Sequence, residues 1–323
     1  MTKIEFIKKM NYFGSIRQAF LFVIDYEFYN PLIFELKDIN SSEIKFQTEI
    51  LSNYSKTFDE KPKFEFSKNP VKFYEYSAAF EHVKNNILNG NSYLLNLTFP
   101  TEISSNLNIE DIYNYSNAKY KLWIKDKFVC FSPEIFVKIN NNIISSYPMK
   151  GTIDADLPNA LEIILNDEKE FAEHNTIVDL IRNDLSIISD NVRVTKFRYP
   201  DYLQTNNKNL IQISSEICGD LPVDYHNNIG DIIAGLLPAG SVTGAPKAKT
   251  LEIISQAENY KRGYYTGVFG VFDGKNLDSA VLIRFIEQNE KRLIFKSGGG
   301  ITSMSDVNSE FQELIDKVYV PIY

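Results

Sequence analysis

Cysteine is scarce in this chain. Only Cys130 and Cys218 occur, far apart and outside any CxxC spacing, which excludes a disulfide framework and a thiolate zinc site. Histidine is almost as rare. His82, His174 and His226 are the only three, and none is placed to complete a nucleophilic triad, so the chain is not expected to hydrolyse glutamine itself. No stretch approaches the roughly 20 apolar residues of a membrane helix, and the amino terminus lacks the apolar run of a signal peptide. A soluble protein of the reducing cytoplasm is expected, with no membrane partner. Basic charge is not in excess either: 34 Lys and Arg stand against 42 Asp and Glu, a net charge of -8. No basic field is available for phosphates, and nucleic acid is not an expected partner. What the 323 residues do have is 44% hydrophobic side chains, sufficient for one large core or two tightly joined layers.

Residues 12 to 29 read as β-prone, with Phe20–Ile24 as a short buried strand, and the polar stretch from there to about Pro70 reads as a surface excursion. From Tyr74 apolar residues recur at helical spacing until Asn89-Gly90 supplies a stop. Strands are expected at 93–99, 128–131, 135–139, 143–146, 210–218, 266–272, 278–286 and 292–297. Helices are expected at 168–188, 247–260 and 306–319. No internal repeat is evident. The order is mixed and not a βα repeat, so the expected class is α+β with large, mainly antiparallel sheets.

Several groups could carry chemistry. Glu310 and Glu313 stand three apart on the last helix, hence on one face, and Glu173 lies on another helix within an unusually polar run, Glu173 to Asp184. Brought together, such carboxylates suit a hard ion such as Mg²⁺; a solvated acidic face is the alternative. Gly298, Gly299 and Gly300 fall between a strand and that last helix, where their amides could converge on an anion, or where the chain simply turns. Arg284 interrupts an apolar run, and a guanidinium there needs a carboxylate partner, from substrate or from the chain. Pro238 to Lys247 is a loop with free hydroxyls, including Thr243, running into a helix amino terminus, but without P-loop spacing. Lys150, between a strand and Gly151, is a nucleophile candidate or a surface lysine.

In this order the segments resemble the chorismate-binding enzyme family. The resemblance rests on Gly90 to Thr98, Ser132-Pro133-Glu134, Pro148-Met149-Lys150-Gly151-Thr152, Glu173 to Asp184, Pro238 to Lys247, Arg262 to Gly267, the Arg284 strand and Gly298 to Glu313. It implies an anthranilate synthase component I-like fold, with sheets packed as a sandwich and helices flanking them. Residues 74–323 would form the catalytic region, with 1–73 as a shortened amino-terminal part integrated into the same fold. It implies that Glu173, Glu310 and Glu313 hold Mg²⁺ and that Thr152, Gln212, Thr243, Tyr265, Arg284 and the Gly298 to Gly300 amides contact chorismate. Lys150 points within the family to amination at ring carbon 4, giving 4-amino-4-deoxychorismate for 4-aminobenzoate and folate synthesis. In that reading Lys150 attacks ring carbon 2 while Glu134 protonates the departing hydroxyl. Ammonia is expected from a separate glutamine amidotransferase subunit, and conversion to 4-aminobenzoate from a separate aminodeoxychorismate lyase.

The chain departs from the family at three places. Gln212 stands where a histidine is common and cannot exchange a proton at neutral pH; Ile135 and Phe285 replace an arginine and a threonine. Leu94 and Leu95 occupy the segment that carries a lysine base in isochorismate and salicylate synthases, which argues against water activation. The short amino-terminal part predicts no tryptophan regulation. Two other readings stay open: anthranilate synthase component I, and a catalytically silent chorismate-binding regulatory subunit.

Overall fold

Every side chain of Phe20–Ile24 is buried, and strand alternation sends successive residues to opposite sides. Leu21 and Val23 pack with Tyr120, Leu122, Phe128 and Phe269 between two sheets. Phe20, Phe22 and Ile24 face an outer layer that contains Phe6, Ile177 and Ile229, from the helices Lys3–Ser15, Glu168–Ser186 and Ile229–Leu236. A strand covered on both faces has to be apolar throughout, which is why this one stands out in the sequence.

The computed structural model describes residues 1–55, 62–204, 209–290 and 292–322. Its first sheet runs Met149–Asp154, Asn209–Asp220, Ile143–Ser146, Ile135–Asn140, Leu277–Val281, Val268–Phe272, Phe20–Ile24, Leu32–Glu35, with Asp190–Gln204 also paired to Asn209–Asp220. The second runs Gly244–Ala245, Leu94–Ser105, Arg292–Ile301, Phe285–Asn289, Phe128–Ser132, Tyr120–Ile124, Ile44–Gln47, with Phe66–Asn69 added beside Leu94–Ser105. Its outer face, through Leu95, Leu97 and Ile301, carries residues of the helices Phe73–Leu88, Lys247–Ala257 and Val307–Asp316. The result is an α+β protein with two antiparallel sheets face to face and helices outside, as expected. Among the described residues no helix is long and apolar enough to cross a membrane.

Four expectations about elements need correction. The β-prone reading of residues 12–29 missed the helix Lys3–Ser15, although Thr2 and Glu5 form a capping box at its start. The polar stretch before Pro70 is not a surface excursion, because Leu32–Glu35, Ile44–Gln47 and Phe66–Asn69 all join the sheets. The first two are edge strands of four residues each, too short for alternation to stand out. The run 278–286 is two strands in different sheets, Leu277–Val281 and Phe285–Asn289. Gly298 to Gly300 do not form a turn; they continue the strand Arg292–Ile301, opposite Thr98, Leu97 and Asn96.

The chain crosses from one sheet to the other at residues 282–284 and again at Pro133-Glu134. These crossings are tied together: the Phe131 amide donates to the Arg284 carbonyl at 3.2 Å, and the Val281 amide donates to the Glu134 carbonyl at 3.1 Å. A sandwich that splits where two strands change sheets leaves space at the split, and the site lies there.

Candidate active site

A cavity of about 1090 Å³ opens beside the two crossings. Its walls include Glu134, Lys150, Thr152, Glu173, Gln212, Tyr265, Arg284, Gly298, Gly300, Glu310 and Glu313. These come from distant parts of the chain. Of the residues singled out from the sequence, Thr243 and Gly299 are not on this wall. Thr243 is fully buried and its hydroxyl donates to the Ala239 carbonyl at 2.8 Å, so the expectation of a substrate contact is corrected to one of loop structure. Gly299 is buried under the acidic helix: a Cβ there would lie 3.4 Å from Glu310 Oε2 and 3.8 Å from Glu313 Oε1. Both are ordinary contact distances, so the carboxylates do not by themselves exclude a side chain there.

Lys150 is aimed by a bulge. The strand Met149–Asp154 pairs Met149 with Ser214 and Thr152 with Gln212, and the register shifts between them at Gly151, whose φ is +80°. Such a bulge turns a side chain out of the ladder. The Lys150 amine reaches Glu173 Oε2 at 3.4 Å, and a Cβ on Gly300 would meet it at 3.2 Å.

Glu134 is only half-covered by surface area, because one side of it faces the cavity, yet protein surrounds the rest. Burial pushes its pKa above the usual carboxylate range, opposed by a short hydrogen bond from the Ser241 hydroxyl and by the charges of Lys150, Arg284 and Lys317. A carboxyl group in such a setting can stay protonated and act as an acid. Arg284 takes a left-handed backbone, φ 52°, at the crossing, a conformation that costs a bulky residue about 1–3 kcal/mol and clusters at functional sites. Among the described residues its Nε is buried without a partner, and its guanidinium lies 5.3 Å from the Tyr319 ring.

The acidic wall has two matching halves. Glu170 and Glu173 stand three apart near the start of Glu168–Ser186, and Glu310 and Glu313 stand three apart near the start of Val307–Asp316. Asp167 and Asp306 cap these helices, and the positive end of each helix offsets part of the repulsion among the acids. Burial raises the pKa of Glu310, and Glu313 and Glu173 add to the rise. Glu170 is likewise raised by burial and by Glu173. At Glu313 burial also pushes upward, but the ammonium of Lys317, 2.5 Å away, prevails and the pKa is lowered.

Among the described residues no three acidic, histidine or cysteine side chains close around one point to hold a metal as they stand. The Lys169 ammonium lies between two of them, 3.9 Å from Glu173 and 3.6 Å from Glu310. All-oxygen donors bridged by a cation fit a hard divalent ion in kind, with that lysine in the bridging place. Glu170, Lys169, Lys317 and Ser241 were missed in the sequence. Glu170 repeats the spacing of Glu310 and Glu313 and was there to be found. Ser241 was not, because its partner lies 107 residues away.

His174 belongs elsewhere. It is fully buried, hydrogen-bonded to the Ser215 hydroxyl at 2.7 Å, and its pKa falls to about 4 through burial and the charges of Arg198 and Lys150. It is a neutral core group.

The sequence profile described as chorismate binding enzyme matches residues 21–322. The chain belongs to the chorismate-binding enzyme family. The match starts well before residue 74, where the recognisable motifs begin, in accord with the place of Phe20–Ile24 in the first sheet. This chorismate-binding enzyme is 52% identical over 322 residues to an uncharacterized PabA-like protein of Haemophilus influenzae, covering 99% of this chain and 98% of that one. It is 31% identical over 260 residues to aminodeoxychorismate synthase component 1 of Bacillus subtilis, covering 76% of this chain and 54% of that synthase. The chain thus matches only about half the length of that relative. A crystal structure of anthranilate synthase component I from Streptococcus pneumoniae superposes with a TM-score of 0.68 at 28% identity, covering 81% of this chain and 60% of that one.

Proposed function

We propose that this enzyme aminates chorismate at ring carbon 4, as an aminodeoxychorismate synthase component I, using ammonia from a glutamine amidotransferase subunit. The observation that carries the reading is the Lys150 amine in the same cavity as the raised Glu134 carboxyl and the Arg284 guanidinium, whose buried Nε has no partner among the described residues. Arg284 suits one carboxylate of the substrate through charge-assisted hydrogen bonds. Bound Mg²⁺, held by Glu173, Glu310 and Glu313 with Glu170 beside them, would offset the charge of the other carboxylate.

The Lys150 nitrogen, unprotonated at the moment of attack, forms a bond to ring carbon 2. The displaced electron pair moves through the conjugated ring double bonds, and the bond from carbon 4 to its hydroxyl breaks. Glu134 supplies the proton that lets this group leave as water. Ammonia then adds at carbon 4, the double bonds shift back, and the bond from Lys150 to carbon 2 breaks. Lys150 leaves with the electron pair of that bond as the neutral amine it began as, and the proton shed by the ammonium group on carbon 4 restores the acid form of Glu134. The net change is chorismate and ammonia to 4-amino-4-deoxychorismate and water.

The test is incubation with chorismate, Mg²⁺ and ammonium, with and without an aminodeoxychorismate lyase, followed by chromatography and intact-protein mass. The expected result is 4-aminobenzoate only when the lyase is present, loss of product on adding EDTA, and an adduct absent from Lys150→Ala. The ion pair between Lys150 and Glu173 favours a second reading, in which that lysine is a spectator and the enzyme is an anthranilate synthase component I. Anthranilate formed by both wild type and Lys150→Ala would establish it.

A further inference from the structure

The loop 238–247 touches the cavity through Ser241, Val242 and Gly244, yet it is held by far more bonds than a cavity wall requires. The Asn96 amide donates to the Thr243 carbonyl at 3.0 Å and the Tyr93 amide to the Ala245 carbonyl at 2.9 Å. Arg262, itself fully buried, donates to the Val242 carbonyl at 2.9 Å. Lys247 at the loop's end pairs with Asp184 at 2.8 Å and donates to the Leu236 carbonyl at 3.0 Å. Between these anchors Gly240–Val242 forms a single tight turn, and the one side chain it presents to the acid is Ser241, whose hydroxyl donates to Glu134 Oε1. Backbone over-determined in this way locates a side chain to within a few tenths of an ångström, the tolerance that proton transfer requires.

We propose that Ser241 is a positioning residue for the general acid: by donating to Oε1 it leaves Oε2 as the oxygen that faces the substrate and carries the proton. The inference rests on the reading of Glu134 as the acid. Its chemical basis is that a neutral carboxyl has one proton and two oxygens. An oxygen already accepting a hydrogen bond inside the protein is the poorer place for that proton, and among the described residues Oε2 has no bond to the protein. The charged and titratable groups around this carboxyl are Lys150 on its strand, Arg284 at the neighbouring crossing, Lys317 at the end of the acidic helix and Tyr265. Behind it stands Asp184, paired with Lys247. None of them bonds to the carboxyl as Ser241 does.

The experiment compares wild type, Ser241→Ala, Ser241→Thr and Glu134→Gln in ammonia-dependent turnover across pH. A parallel infrared measurement follows the carbonyl band of protonated Glu134, assigned by its loss in Glu134→Gln. For Ser241→Ala, kcat should fall ~10–100-fold with KM for chorismate unchanged. Because the hydroxyl stabilises the charged form, its removal should move the alkaline limb of the rate profile, and the infrared titration, to higher pH. Threonine, which retains the hydroxyl, should restore both. Full kcat with an unshifted titration in Ser241→Ala overturns the proposal, as does an equal loss in Ser241→Thr whose infrared band is unchanged. Full activity of Glu134→Gln would instead overturn the underlying assignment of the acid. If the alanine variant fails to fold, the threonine rescue and the infrared titration of Ser241→Cys, whose donor is weak, decide in the same way.

Discussion

Arg262 and Arg284 are both largely enclosed, but their surroundings are opposite. Arg262 is 1% exposed and uses its fork fully: two bonds to Glu258 at 2.8 and 2.6 Å, one to the Val242 carbonyl at 2.9 Å, one to the Asn96 carbonyl at 2.6 Å and one to the Thr266 hydroxyl at 3.4 Å. Tyr26 lies beneath its face, 4.6 Å away. Arg284 has a buried Nε without a partner among the described residues, a left-handed backbone and an aromatic ring on one side. The first guanidinium joins the strand Leu94–Ser105 to the loop 238–247 and has no donors left for a ligand. The second keeps donors free beside a cavity. A buried arginine in a sequence therefore signals two different things, and hydrogen-bond accounting separates them.

The comparison can be broken by exchanging the consequences of the two losses. Arg262→Met should produce the largest effect, about 3–5 kcal/mol of stability, because it leaves the Glu258 carboxylate buried without its partner; urea titration measures it. An Arg262→Met protein as stable as wild type would show that the pair is not what holds the loop. Arg284→Met should barely change the urea midpoint but raise KM for chorismate about 10–100-fold, the equivalent of about 1.5–3 kcal/mol for a charge-assisted bond. Steady-state kinetics beside the same titration tells the two apart, and a large stability loss with unchanged KM would make Arg284 structural.

A smaller effect sharpens the contrast between sealed and open regions. Gly300→Ala brings a methyl to 3.1 Å from a Leu94 methyl and 3.2 Å from the Lys150 amine, the movable end of a long side chain. Turnover should fall several-fold, on the order of a few tenths of an ångström of displaced nucleophile, with the melting temperature nearly unchanged. Unaltered turnover would place Lys150 outside the chemistry.

Much of this site was legible before any fold was known. Lys150, Glu173, Arg284, Glu310 and Glu313 came from local signals: a lysine before a glycine, acids at helical spacing, a cation within an apolar run; Glu134 came only from the family resemblance of Ser132-Pro133-Glu134. Thr243 failed because a hydroxyl in a loop looks the same whether it faces a ligand or caps the carbonyl four residues back. Gly298 to Gly300 were misread as a turn because three glycines suggest a bend, whereas they continue a strand, and at Gly298 a Cβ would lie 2.5 Å from the Thr98 side chain and 2.7 Å from the Leu97 carbonyl oxygen. The edge strands before Pro70 were hidden by their half-polar composition.

By itself the amino-acid sequence determined the family, the α+β class, the buried strands and the residue types available for chemistry, since these follow from periodicity and motif order along the chain. Only the tertiary structure decided that Glu134 and Arg284 sit at adjoining crossings between sheets, that Lys169 lies between two of the acids, and that Ser241 grips the acid. Each of these depends on groups tens to hundreds of residues apart, and no local pattern records which distant partner will take a given hydrogen bond.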